Sequence, residues 1–236
     1  VIAVIPVEDF IKKLQREKDS SVIIIACSGG KRSDTEISFL ENMPEVLDFK
    51  QTSINFDDTT MELLRSFRIC TEREHPDAVK PSKDYPAFLR YSGQFYRAVW
   101  ECGKTQTWKK VIQENWKILI LSAYYGFLKI TDPIKNYNLQ VSKLKAKCKR
   151  MLPQVLQAIK NANDIENIYF FASNTYTHPF KGELENIYQV CLLDHLKKEI
   201  YGQYAREYYK EAGYLFASII SGDVRGSARF VSLEVV

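Results

Sequence analysis

The chain has 236 residues, of which 45% are hydrophobic and 13% aromatic, enough apolar side chain to fill a core without help from metals or cross-links. Its 33 Lys and Arg against 29 Asp and Glu leave a formal charge of +4, which permits contact with nucleic acid without demanding it. No apolar run approaches the ~20 residues of a membrane-spanning helix, and the opening VIAVIPVEDF lacks the cationic start and long apolar stretch of a secretory signal, so a cytoplasmic protein with no membrane partner is expected.

The first predicted element is a helix over VEDFIKKLQREK, where Val7, Phe10, Ile11 and Leu14 share one face. Val22 to Ala26 then reads as a buried strand. Asp57, Asp58 and Thr59 are cap candidates for a helix whose Met61, Leu64, Phe67 and Ile69 form a rough apolar stripe. His75 to Pro86, with Pro76, Pro81 and Pro86, reads as loop, and a helical pattern from Ser92 breaks near Gly103. Ile118 to Leu121 is a second buried strand. A long basic helix is expected from Val141 to Asn161, interrupted or kinked at Pro153. NIYFF is a third buried strand that stops at Ser173-Asn174. IYQVCLL, residues 187–193, reads as strand or helix; DHLKKEIYGQYAREYYKEAGYLFASIIS reads as helix apart from its two glycines, and ARFVSLEVV as a short strand.

Three unalternating strands separated by helices predict the α/β class, with a mainly parallel central sheet flanked by helices. No repeat or linker divides the chain, so one domain spans residues 1–236. The five cysteines, Cys27, Cys70, Cys102, Cys148 and Cys191, are odd in number and scattered. They suggest neither a disulfide framework nor a zinc site and fit a reducing compartment. His75, His178 and His195 share no ligand spacing, so no metal and no other cofactor is expected. Nothing in the sequence fixes the oligomeric state.

Ligands of parallel sheets collect outside the carboxyl ends of the strands, which draws attention to three loops: Cys27 to Arg32, Ser122 to Asp132, and Ser173 to Tyr176. In the first, Gly29 and Gly30 let backbone N–H groups approach a ligand while Lys31 adds a positive charge, an anion-binding combination. A tight turn with a solvated lysine reads the same residues equally well. The nucleotide-binding patterns G-x-x-x-x-G-K-[ST] and G-x-G-x-x-G are absent. Cys27 is either a small core residue or a nucleophile activated by its cationic neighbour. The second loop brings Ser122, Tyr124, Tyr125, Gly126, Asp132 and Tyr137, a set that either stacks on a nucleobase or packs internally with its hydroxyls bonded. Tyr204, Tyr208 and Tyr209 lie on a helical pattern and are assigned to the core or a partner helix.

The pairing of YSGQFYRAV with ILILSAYYGFLKITDPIKNYNLQ, together with CSGGK, resembles the peroxide-stress YaaA family. The fit extends to a related branch carrying C-S-x-x-K and S-A-x-Y-G. The resemblance covers roughly Tyr91 to Leu139 and Cys27 to Lys31, with YFFASNTY as a weaker match. The family's R-P-L-D is here Lys129, Ile130, Thr131 and Asp132, and its P-Y-R-x-E is Asn136, Tyr137, Asn138, Leu139 and Gln140. Carried over by position, the resemblance implies functional residues at Ser28, Lys31, Gly93, Tyr96, Ser122, Tyr125, Gly126, Asp132, Tyr137 and Ser173. It also implies a mixed α/β fold with a central groove and a DNA-associated role in oxidative-stress protection.

Two functions follow as expectations. One is a stress-protection protein that binds DNA or nucleic-acid components, with Lys143, Lys145 and Lys147 tracking phosphates. The other is an enzyme acting on a nucleotide, nucleoside or modified base, with Ser28 to Lys31 holding an anion, Tyr125 or Tyr137 orienting the base, and Lys31, Asp132 and Cys27 as the chemical groups. The sequence leaves open whether there is any turnover.

Overall fold

A computed structural model describes residues 3–41, 53–200 and 205–236. Strand β1 (Ala3–Pro6) leads straight into helix α1 (Val7–Arg16), which buries the expected Val7, Phe10, Ile11 and Leu14. Strand β2 (Ser21–Ala26) follows, and every one of its residues is buried. The next elements are α2 (Asp34–Glu41), α3 (Asp58–Glu74), the two-residue β3 (Tyr85–Pro86), α4 (Ala87–Arg90), α5 (Gln94–Gly103) and α6 (Thr105–Gln113). The second half runs through β4 (Ile118–Ser122), β5 (Gly126–Lys129), β6 (Pro133–Ile134), α7 (Ala146–Lys149), α8 (Leu152–Ala162), β7 (Asn167–Phe171), α9 (Asn174–Thr177), β8 (Ile187–Leu193), α10 (Ala205–Ser221) and β9 (Phe230–Val235).

The main sheet has the order β1-β9-β8-β7-β2-β4-β5. Its centre, β8-β7-β2-β4, is parallel, while β5, β9 and β1 pair antiparallel at the edges. The mixed α/β fold and its mainly parallel centre are those the sequence predicts. Register follows from burial: Ile24 pairs with Leu119 on one side and Phe170 on the other, all fully buried. Each such side chain contributes roughly 1.5–3 kcal/mol. The ambiguous segment 187–193 is a strand. Six of its seven residues are buried because β7 and β9 enclose it, so no alternation survives to identify it.

Several expectations are corrected. The basic helix over 141–161 is instead a 3-10 turn at Val141–Lys143, an extended Leu144, the one-turn α7, and then α8. The buried Val141, Leu144 and Cys148 have helical spacing without one continuous helix, and Pro153 lies in the first turn of α8, where its missing N–H costs nothing. Residues 194–200 are not helical; Asp194 caps a turn there, accepting from Leu196 N and Lys198 N. Met61 and Ile69 face solvent rather than the core, and Thr60 and Thr71 take their place on the buried face of α3. Cys70 on α3 and Cys148 on α7 form a disulfide, with Cα atoms 5.9 Å apart across 78 residues of sequence. That separation is why no cysteine spacing revealed it. Among the described residues no helix is long and apolar enough to cross a membrane.

Candidate ligand-binding site

The site begins where β2 leaves the sheet. Cys27 N still bonds Leu121 O of β4 at 3.1 Å, and then the chain turns away. Ser28 Oγ accepts from Gly30 N at 3.1 Å, closing the turn. The loop is stitched to the segment before α5: Ser92 N donates to Gly30 O, Arg32 N to Arg90 O, and the Arg32 guanidinium to Leu89 O and Tyr91 O. Gly93 lies so close to Ser28 that a Cβ there would overlap its Oγ and come within 2.9 Å of its Cβ. The missing side chain is what lets the loop rest on the start of α5. No side chain among the described residues caps that helix, so its first N–H groups and the positive end of its dipole are left for another acceptor.

They open onto a cavity of about 400 Å³ at the carboxyl ends of β2 and β7, bounded by Cys27–Gly29, Gly93–Tyr96, Gln140–Ser142, Ser173, Thr175, Tyr176 and Tyr209. The phenols are held in place. Tyr96 donates to Ala26 O (3.0 Å), Tyr176 to Cys27 O (3.1 Å), and Tyr209 to Ser173 Oγ (3.1 Å). The Cys27 thiol is 3.4 Å from the Tyr176 hydroxyl oxygen. Burial, reinforced by the neighbouring Cys27, raises the Tyr96, Tyr176 and Tyr209 pKa values, so these three phenols stay neutral. Among the described residues no group of three or more His, Cys, Asp or Glu could hold a metal ion.

Of the sequence-derived candidates, Cys27, Ser28, Gly29, Gly93, Tyr96 and Ser173 line this cavity together. Lys31 lies just beneath it. Its ammonium donates to Ser28 O at 2.9 Å and is 3.9 Å from the centroid of the Tyr137 ring. Burial lowers its pKa to about 8, with the charges of Arg90 and Lys80 acting the same way and Cys27 opposing them. Tyr137 is fully buried, its hydroxyl 2.8 Å from Tyr91 Oη and 2.9 Å from Ser122 Oγ. Ser122 Oγ in turn accepts from the amides of Tyr124 and Tyr125. The second loop is therefore mostly internal packing: the Tyr124, Tyr125 and Tyr137 rings contact one another, and Gly126 makes the hairpin turn with φ of 75°.

Asp132 does not line the cavity. The chain reverses at Gly126, and β5 runs antiparallel to β4 from Ser122 back to Leu119, carrying Asp132 toward the opposite end of the sheet. There it accepts from Lys129 N (2.9 Å). Burial raises its pKa against the opposing hydrogen bond and the Lys129 and Arg68 charges. Of the three lysines assigned to phosphate, Lys147 pairs with Glu74, whereas Lys143 and Lys145 are exposed beside the Gln140–Ser142 wall.

Sequence reasoning did not assign Tyr209 or the Gln140–Ser142 wall to the site. Adjacent residues on a helix point about 100° apart. Tyr208 thus reaches Val190 O in the core while Tyr209 turns toward Ser173, a split that the tyrosine cluster alone does not reveal.

A search of curated proteins gave no match. A family model described as peroxide stress protein YaaA matches residues 23–216, from within β2 well into α10. That span holds every residue lining the cavity and most of the 236-residue chain, and the chain belongs to the peroxide stress protein YaaA family.

Proposed function

We propose that this peroxide stress protein binds a nucleotide or nucleoside, free or as part of a nucleic acid, in the cavity between the Cys27–Gly29 loop and Tyr209. The observation that carries this reading is the uncapped start of α5 opening into a cavity that the two phenols Tyr176 and Tyr209 also line. Free helix N–H groups and the Ser28–Gly29 backbone suit a phosphate or another anionic edge. The phenol rings with Phe95 and Val141 suit the flat apolar face of a base. A volume of about 400 Å³ falls within the ~300–1,000 Å³ typical of small-molecule sites. Lys31 is a positioning residue in this reading: it fixes the loop through Ser28 O and places a positive charge behind it. If the bound molecule is transformed, Cys27 is the nucleophile-bearing side chain on the wall.

A strand of nucleic acid presenting one nucleotide to the cavity is a second reading, favoured by the exposed Lys143 and Lys145 directly following Ser142. A thermal-shift panel of nucleotides, nucleosides and bases tests the proposal. Gly29 is an exposed residue lining the cavity, and a Cβ there meets nothing within 4 Å, so Gly29→Trp adds bulk at the cavity mouth without a clash at its Cβ. A ligand at a hundredfold excess over its Kd stabilises the native chain by about 2.7 kcal/mol, and Gly29→Trp should abolish that shift. A panel without effect, or a shift that persists in Gly29→Trp, overturns the reading.

A further inference from the structure

We propose that Cys70 and Cys148 are a peroxide-oxidisable dithiol whose disulfide fixes one wall of the cavity. The two cysteines sit on packed helices, α3 and α7, with Cα atoms 5.9 Å apart, inside the span a disulfide bridges without backbone movement. The Glu74–Lys147 ion pair joins the same two helices, so the sulfurs stay adjacent when the bond is open.

The wall that depends on this bond is the segment from Gln140 to Arg150. Its backbone hydrogen bonds close on itself: Lys143 N to Gln140 O, Leu144 N to Val141 O, Cys148 N and Lys149 N to Lys145 O, and Arg150 N to Ala146 O. Among the described residues no strand or long helix holds it by its main chain. It is tied to the body by the packing of the Val141–Lys143 turn on α9, the burial of Val141, Leu144 and Cys148, the Lys147 ion pair and the covalent link to Cys70. Opening that link therefore loosens Gln140–Ser142, which line the cavity.

The order of events follows from access. Cys70 is half-buried and Cys148 fully buried, so a hydroperoxide meets Cys70 first. The Cys70 thiol gives up its proton and its sulfur attacks the terminal oxygen of the hydroperoxide; the O–O bond breaks, the departing alkoxide (or hydroxide, from hydrogen peroxide) takes up that proton and leaves as alcohol or water, and Cys70 becomes a sulfenic acid. The Cys148 sulfur, losing its proton, then attacks the Cys70 sulfur, and the hydroxyl departs with that proton as water. Two thiols and one hydroperoxide give one disulfide, one alcohol and one water. A small dithiol or glutathione-type thiol supplies the two electrons that return the pair to its reduced form.

The test starts from the reduced full-length chain, treated with hydrogen peroxide, quenched by alkylation and mapped by peptide mass spectrometry. A Cys70–Cys148 linkage should form at a rate proportional to peroxide. Cys148→Ser should leave a sulfenic acid on Cys70 that a 1,3-dione traps, and Cys70→Ser should leave Cys148 a thiol. Hydrogen exchange over residues 140–150 should be several-fold faster in the reduced chain, with β2 and β7 unchanged. The wild-type time course and exchange measurements stand by themselves if a serine variant fails to fold. Linkage no faster with peroxide than without it, preferential oxidation of Cys27, Cys102 or Cys191, or identical exchange over 140–150 in both states overturns the proposal.

Discussion

The Lys31 ammonium lies 3.9 Å from the centre of the Tyr137 ring and donates to Ser28 O, so one half-buried amine joins the anion-type loop to the tyrosine cluster behind it. Its pKa is lowered from 10.5 to about 8, chiefly by burial. Between those two values the unfolded chain holds the proton more tightly than the folded one. Stability therefore rises with pH across the window from about 8 to 10.5, and the cost of burying the charge is fully present below it. Chemical denaturation at pH 7 through 10.5 should show this contribution in the wild type, at up to ~1.4 kcal/mol per pH unit, and lose it in Lys31→Met. Identical pH profiles for the two chains would rule out a lowered Lys31 pKa.

The hydroxyls behind Lys31 make a second prediction. Tyr137 Oη is the common partner of Tyr91 Oη and Ser122 Oγ, and all three residues are buried. Tyr137→Phe keeps the ring under the ammonium and strands a buried hydroxyl, which costs ~1–3 kcal/mol. Tyr125→Phe gives up only a bond from the exposed Lys135 amide and should cost much less. Urea unfolding of both variants checks the ordering, and equal losses would contradict it.

These two relationships mark what the sequence makes legible. The centre of the sheet could be read because β2, β4 and β7 are unbroken apolar runs ending at small polar residues; of the three loops at or beyond their ends, those holding Ser28 and Ser173 line the cavity, while Ser122 is buried against Tyr137. Helix α2 carries a readable start as well: Ser33 and Glu36 form a capping box, with Glu36 N donating to Ser33 Oγ and Ser33 N to Glu36 Oε2, although no helix was expected there. What stayed hidden depends on direction rather than composition. Asp132 belongs to the right loop, but the β4–β5 reversal carries it away. Cys148 finds Cys70 only after the segment beyond Gln140 folds onto α3.

Unequal lysines give a third prediction, for binding to a nucleic-acid strand. Neutralising Lys143 and Lys145 should lower the slope of log affinity against log salt by ~0.7 for each single-strand phosphate they would otherwise neutralise. Adding Lys147→Gln should change it little, because that ammonium is already paired with Glu74. Glu74 reports on the pair independently: its bond to Lys147 is the largest cause holding its carboxyl below the usual glutamate range. The pair's stabilisation is present above that range and fades as pH falls through the lowered value. Equal slope changes from all three lysines would contradict this assignment.

The contact between Gly93 and Ser28 yields the sharpest genetic test of the site. A methyl at Gly93 would overlap Ser28 Oγ and approach its Cβ to 2.9 Å, whereas the Ser28 Cα is 3.9 Å away, an ordinary contact. Gly93 has φ of −68°, so an added side chain strains no dihedral and the penalty is purely this overlap. Gly93→Ala should therefore cost ~1–3 kcal/mol, as overpacking does, and displace the loop that shapes the cavity. Ser28→Gly alone should cost little, since the bond it removes, from Gly30 N to Ser28 Oγ, is exposed. In the double variant both overlapping atoms are gone, and most of the lost stability should return. Thermal melts of the four chains measure the coupling; a double variant no more stable than the sum of its parts predicts would mean that Gly93 is required for some reason other than its fit against Ser28.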